Sequence, residues 1–206
     1  MVLLRSITTV GGFTLVSRVL GFVRDILIAA VLGAGAGADV FFVAFKLPNL
    51  FRRLFAEGAF NAAFVPIFSG LIETDGRGAA REFAEEALAG LLWTLLAFVV
   101  LFELLMPVIM MGFAPGFLDE PGKFDLAVLL TRITFPYLLF ISLVSLMGGV
   151  LNSLGRFAAA AATPIFLNIC LIGAILGLTP LMPTAAHALS WGVALAGLVQ
   201  FVWLYH

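Results

Sequence analysis

Six long apolar stretches divide the chain, at about residues 7–32, 38–70, 86–112, 124–152, 157–179 and 184–206. Each reaches the roughly 20 residues that a helix needs to cross a hydrocarbon core about 30 Å thick. Between them the chain turns quickly. Gly33 to Gly37 is glycine and alanine, and Glu73 to Arg81 is charged around Asp75-Gly76. Pro115 to Lys123 holds Pro115, Gly116, Pro121 and Gly122, Asn152 to Arg156 contains Gly155, and Thr179 to Pro183 has two prolines. Short connections make successive helices antiparallel neighbours. The pattern therefore predicts an all-α fold, a single transmembrane bundle of about six helices over 1–206. The ten-residue alternating segments of a membrane barrel do not occur.

The polar positions inside these stretches are more informative than the breaks. Five of the 11 basic residues lie between Arg18 and Arg53, within segments that read as membrane-spanning. An ionisable group at that depth costs at least about 2.5 kcal/mol and marks a wet cavity, a partner or both. At about 100° per residue, Thr14, Ser17, Arg18, Gly21, Arg24 and Asp25 fall within an arc of about 120°, opposite Leu15, Val19, Phe22 and Ile26. In the second helix Asp39, Lys46, Arg53 and Glu57 recur at intervals that make one narrow stripe, with Asn49 and Arg52 beside it. Pro48 is expected to kink this helix and to free backbone carbonyls that need a wet or protein-lined surface.

Arg18, Arg24, Lys46, Arg52 and Arg53 outnumber Asp25, Asp39 and Glu57 by about two charges. The natural partner of such a surplus is an anion with about two charges, and the planar fork of arginine suits a phosphate. A diphosphate lipid headgroup fits. The alternative is that these residues pair only with one another and lock two helices together.

Composition agrees with a lipid solvent: 63% of the 206 residues are apolar, 11% are charged, and the mean hydropathy is +1.17. A net charge of −1 argues against a nucleic-acid partner. Cys170 is alone in an apolar run, so no disulfide framework is expected. No nucleotide-binding loop, catalytic triad or metal-ligand spacing is present, so no cofactor and no enzymatic role are implied. The first helix, with Arg18, Arg24 and Asp25, reads as retained rather than as a cleaved signal. With the N-terminus inside, Arg5, Arg77, Arg81 and Arg156 fall on the cytoplasmic side and only Lys123 outside, which predicts cytoplasmic termini. Trp191, Trp203 and Tyr205 suit interfacial belts. Gly148-Gly149, Ala158 to Ala162, Gly173 and Gly177 permit close helix packing. Glu82, Glu85 and Glu86 with Arg81 read as a solvated extension of the third helix, and His187 as interfacial. Glu103 and Arg132 reach similar depths at about 1.5 Å per residue, which predicts a structural ion pair between the third and fourth helices.

The run Ser17 to Asp25 resembles the start of the MurJ (MviN) lipid II flippases of bacteria. Ala38-Asp39 and the stretch Phe45 to Phe60, with its Lys46-Leu47-Pro48-Asn49 and Arg52-Arg53-Leu54-Phe55-Ala56-Glu57-Gly58, resemble the same family's second-helix signature. Asn61 to Ser69, Arg132 to Pro136 and Gly148 to Asn152 continue the match. The resemblance implies a member of the multidrug, oligosaccharidyl-lipid and polysaccharide exporter superfamily in the bacterial inner membrane. Such a protein moves undecaprenyl-diphosphate-linked peptidoglycan precursor (lipid II) outward by alternating access between two six-helix lobes. It further implies that Ser17, Arg18, Arg24, Asp25, Lys46, Asn49, Arg52 and Arg53 face the cavity. Asp39 would belong to an outer gate and Glu57 to an inner one. The chain resembles the N-terminal lobe, so membrane lipids and a C-terminal lobe are expected partners. Alternatives are a related polysaccharide-lipid exporter, an enzyme acting on polyprenyl diphosphate, or a lobe that binds the lipid carrier without transport.

Overall fold

The structure, a computed structural model, describes the backbone of residues 2–54 and 59–205 and the side chains of 8–54 and 62–205. Every regular element among the described residues is helical. They are α1 Val2–Leu32, α2 Ala36–Arg52, α3 Ala59–Thr74, α4 Gly76–Phe113, α5 Lys123–Thr134, α6 Tyr137–Ser153, α7 Phe157–Gly173 and α8 Ala185–Tyr205. Among the described residues four spans are long and apolar enough to cross a membrane: α4, α5 together with α6, α7 with its continuation to Leu181, and α8. α1 has 31 residues but is interrupted by Arg18, Arg24 and Asp25. α2 and α3 have 17 and 16 residues.

The element boundaries depart from the apolar stretches where local chemistry intervenes. The charged segment at 73–81 is mostly helix, because α4 begins directly after the Asp75-Gly76 turn, where Gly76 takes φ +84°. Arg81 Nε donates to Glu85 one turn later at 2.7 Å on the exposed face. The fourth stretch divides at Phe135-Pro136. Proline has no amide to continue the ladder, and the turn tightens through Leu138 N–H to Phe135 O at 3.0 Å and Leu139 N–H to Pro136 O at 3.1 Å.

α8 lies at the centre, against α2, α5, α6 and α7. It approaches closely because of two glycines. A Cβ at Gly192 would lie 2.7 Å from Ala174 Cβ, and one at Gly197 would lie 2.9 Å from Tyr137 Cδ2. α6 and α7 meet where Gly148 faces Ala160. Gly173 and Gly177, by contrast, have nothing within 4 Å. Small residues thus mediate packing at some of the positions that their pattern suggests, and also on α8.

Prolines inside α2 and α4 impose a further requirement. Pro48 has no amide for the carbonyl of Ala44, and Pro107 has none for that of Glu103. α5 supplies both missing donors. Thr134 Oγ1, fully buried, donates to Ala44 O at 2.8 Å, and Arg132 Nε donates to Glu103 O at 3.2 Å. α2 runs on through Pro48 to Arg52. The expected Glu103–Arg132 ion pair is therefore corrected. Arg132 bonds the main-chain oxygen that Pro107 leaves open, and Glu103 Oε1 is buried without a hydrogen-bond partner.

Thr134→Val should lower stability by about 1–3 kcal/mol, the cost of a buried acceptor left unpaired. In a Pro48→Ala background, where the new amide serves Ala44 O, the same substitution should cost clearly less. Unfolding of the four proteins in mixed micelles tests this. Equal penalties in both backgrounds would disconnect the hydroxyl from the proline.

Candidate functional site: a cationic face on α1 and α2

α1 lies along α7, and its charged arc is split by that contact. Ser17, Gly21, Arg24 and Ile28 turn toward α7, while Thr14, Arg18 and Asp25 remain exposed at the seam. Beyond the seam Leu15, Val19, Phe22 and Ile26 are all more than half exposed, as a lipid-facing surface would be. The polar side of α1 is anchored by Asn168 of α7, which is 4% exposed. Its Nδ2 donates to Ser17 O at 2.9 Å, and its Oδ1 accepts from Arg24 Nη1 at 2.7 Å. Asp25 Oδ1 holds the other edge of the same guanidinium, 3.0 Å from Nε and 2.8 Å from Nη2. Arg24 is thus fixed in direction, its side chain 22% exposed.

On α2 the stripe is a real face. Asp39, Lys46 and Arg53 are exposed together with Phe42 and Leu50, while Val40, Ala44, Leu47 and Pro48 on the other side are buried. The rotation of the helix is held at its end by Phe51. This ring packs edge-on to Phe98 and Phe102 at 5.1 and 5.0 Å, and Phe102 stacks on Phe135 at 5.1 Å. With Phe51 in that cluster, Arg52 and Arg53 are carried to other sides of α2. Asn49 bridges its own helix, donating to Phe45 O at 3.0 Å and accepting from Arg52 Nε at 3.3 Å. A cavity of about 320 Å³ between α1 and α2 is lined by Asp25, Ile28 and Leu32 with Phe42, and Asp25 is the charged residue of that lining.

Asp39 is not a free carboxylate. Lys123, at the start of α5, donates to Asp39 Oδ2 at 3.1 Å and to Glu120 Oε1 at 2.7 Å, and sits 4.6 Å from the centroid of the Phe117 ring. Glu57 lies outside the described residues. Among the described residues Arg18, Lys46 and Arg53 have no ion-pair partner. None of the described His, Cys, Asp and Glu side chains gather in a metal-binding group. Asn168 is the residue that sequence reasoning missed. A single amide in an apolar run carries no charge signal; the nearest sequence hint is Gly21 of α1, where an added Cβ would lie 3.7 Å from Asn168 Nδ2.

The described residues define a helical membrane bundle with exposed basic side chains on its first two helices. Comparison with known proteins narrows this. The family model described as lipid II flippase MurJ matches residues 28–205, and the chain belongs to that family. The probable lipid II flippase MurJ of Rhizobium tropici is 50% identical over 211 residues, covering 100% of this chain and 39% of that protein. The lipid II flippase MurJ of Burkholderia cenocepacia is 41% identical over 202 residues, covering 98% and 39%. A solved structure of lipid II flippase MurJ in an inward closed conformation superposes with a TM-score of 0.73 at 29% identity, over 94% of this chain and 41% of that one. The chain spans about two-fifths of the length of the curated relatives it matches.

Asn168→Ala should leave Ser17 O and Arg24 short of a partner and cost about 1–3 kcal/mol in the α1–α7 contact. Hydrogen exchange should then rise in α1 around Ser17 to Arg24 and remain unchanged in α5. Uniform exchange across the bundle would show that Asn168 does not hold α1.

Proposed function

We propose that this chain is the N-terminal lobe of a lipid II flippase of the bacterial cytoplasmic membrane, with both termini cytoplasmic. In this reading the lobe rocks against a C-terminal lobe, and undecaprenyl-diphosphate-linked peptidoglycan precursor passes from the inner to the outer leaflet between them. The observation that carries it is the face on α1 and α2, where Arg18, Lys46 and Arg53 are exposed without ion pairs among the described residues. Membership of the lipid II flippase family supports the substrate class.

The diphosphate needs donors whose direction is set before it arrives, since ordering long side chains on binding costs entropy. Arg24 answers to this through Asn168 and Asp25, and Arg52 through Asn49. Arg18, Lys46 and Arg53 add charge that a divalent headgroup neutralises. Ser17 and Asn49 supply neutral hydrogen bonds beside them. Asp39, tied to Lys123, belongs to the rim of the face rather than to its charge. It can gate by exchanging that lysine for a partner on the other lobe. Glu57 is assigned to the opposite gate by the resemblance alone. A transporter built on two bundles rocking around such a site is a known architecture of secondary transport.

Retention of lipid II by the purified chain, measured by native mass spectrometry against a zwitterionic phospholipid, tests the reading. Substituting Arg18, Lys46 and Arg53 by glutamine together removes the free charges and leaves the internal hydrogen bonds of the lobe intact. Selective retention should fall by about tenfold or more in the triple variant. Undiminished selectivity would mean that the diphosphate is not held by this face.

A further inference from the structure

A second basic cluster lies at the end of the bundle that carries the α3–α4 and α6–α7 turns. A cavity of about 630 Å³ opens there between α4, α6 and the end of α8. Its floor is apolar, built from residues such as Ile72, Met147, Leu151 and Leu204, and Arg77, Arg81 and Arg156 stand around it. The three arginines come from two segments, Arg77 and Arg81 from the first turns of α4 and Arg156 from the turn before α7. Arg77 follows Gly76, and Arg156 follows Gly155, each glycine in a left-handed conformation (φ +84° and +75°) that turns the chain back toward the groove. Arg81 is one helical turn beyond Arg77. Glu85 is the one acid lining the cavity, and it pairs with Arg81 at 2.7 Å. Among the described residues, the side chains of Arg77 and Arg156 have neither a hydrogen bond nor an ion pair.

An apolar groove edged by two unpaired guanidiniums selects its occupant. A soluble anion would engage the arginines and leave the floor unused. A zwitterionic lipid would fill the floor without neutralising the surplus charge. A lipid with a net negative phosphate headgroup satisfies both, because guanidinium forks match phosphate oxygens while the acyl chains follow the apolar wall into the bilayer. The position suits such a ligand, since α4, α6 and α8 run from the groove into apolar spans. We propose that this groove is a binding seat for an anionic phospholipid of the surrounding membrane, separate from the face on α1 and α2.

The purified chain, titrated by native mass spectrometry with phosphatidylglycerol and with phosphatidylcholine of the same acyl chains, tests this. Phosphatidylglycerol should be retained about tenfold better, and in an Arg77→Gln, Arg81→Gln, Arg156→Gln variant the two should come within about twofold of each other. These side chains are exposed, so the fold should survive, which the circular dichroism spectrum checks. Ala84→Trp, which narrows the groove and leaves every charge in place, should also reduce retention. The Arg18→Gln, Lys46→Gln, Arg53→Gln variant should keep the preference, so this proposal and the flippase reading fail independently. Equal retention of both lipids by the parent would overturn the proposal and point to a polypeptide cover. So would a preference that survives loss of the three groove arginines, or one abolished by the α1–α2 variant alone. Glycerol phosphate at the concentration of the lipid should not displace the adduct; complete displacement would reduce the site to its arginines and overturn the groove.

Discussion

In a bilayer a backbone carbonyl that has lost its helical donor must find another within the protein, because the hydrocarbon offers none. Four prolines lie inside the described helices, and one short helix answers two of them, Pro48 and Pro107. Thr134 and Arg132 of α5, two residues apart, reach Ala44 O on α2 and Glu103 O on α4. The consequence is mechanical as well as energetic. A stripe of charges repeating every seven residues has a direction only if its helix cannot rotate. The Thr134 hydroxyl fixes α2 near mid-length, and the Phe51 cluster fixes it near its end. The direction in which Lys46 and Arg53 point therefore depends on contacts made on the opposite side of the helix.

The charges of the first two helices divide into those answered within the lobe and those left open. Arg24 is answered by Asn168 and Asp25, Arg52 by Asn49, and Asp39 by Lys123. Neutral amides do half of this work. An amide orients a guanidinium without cancelling its charge, whereas a carboxylate would both orient and neutralise it. Arg24 has both kinds of partner, the Asn168 amide on one edge and the Asp25 carboxylate on the other. Asn168 orients Arg24 from α7 without adding a second negative charge to the one Asp25 brings.

The fold class was legible because twenty-residue apolar runs and glycine-proline breaks are one-dimensional signals. So was the stripe on α2, since helical periodicity places residues on faces without tertiary information. What periodicity could not supply was the neighbour. It put Ser17, Arg24, Arg18 and Asp25 on one arc, and could not say that α7 would divide that arc. Asn168 was hidden for the same reason. The Glu103–Arg132 prediction shows the limit at finer grain. Equal depth brought the right two residues together, but the atom that Arg132 needed to reach was set by Pro107, four residues beyond Glu103, and not by the carboxylate. Asp39 and Lys123 were each placed at the same end of the bundle, yet their pairing depends on how the loop before α5 folds back.

The exposed part of the face sets a condition on whatever lies beside it. Arg18, Lys46 and Arg53 would each cost at least about 2.5 kcal/mol against hydrocarbon at mid-depth. Lipid is therefore a poor neighbour for the seam of α1 and the stripe of α2. It is a good one for Leu15, Val19, Phe22 and Ile26 on the far side of α1. These two surfaces of one helix, about a quarter-turn apart, mark the line where the bilayer must end and protein or water must begin. Under the function proposed above, a second bundle would stand on the polar side of that line, along α1 and α2, and lipid on the other.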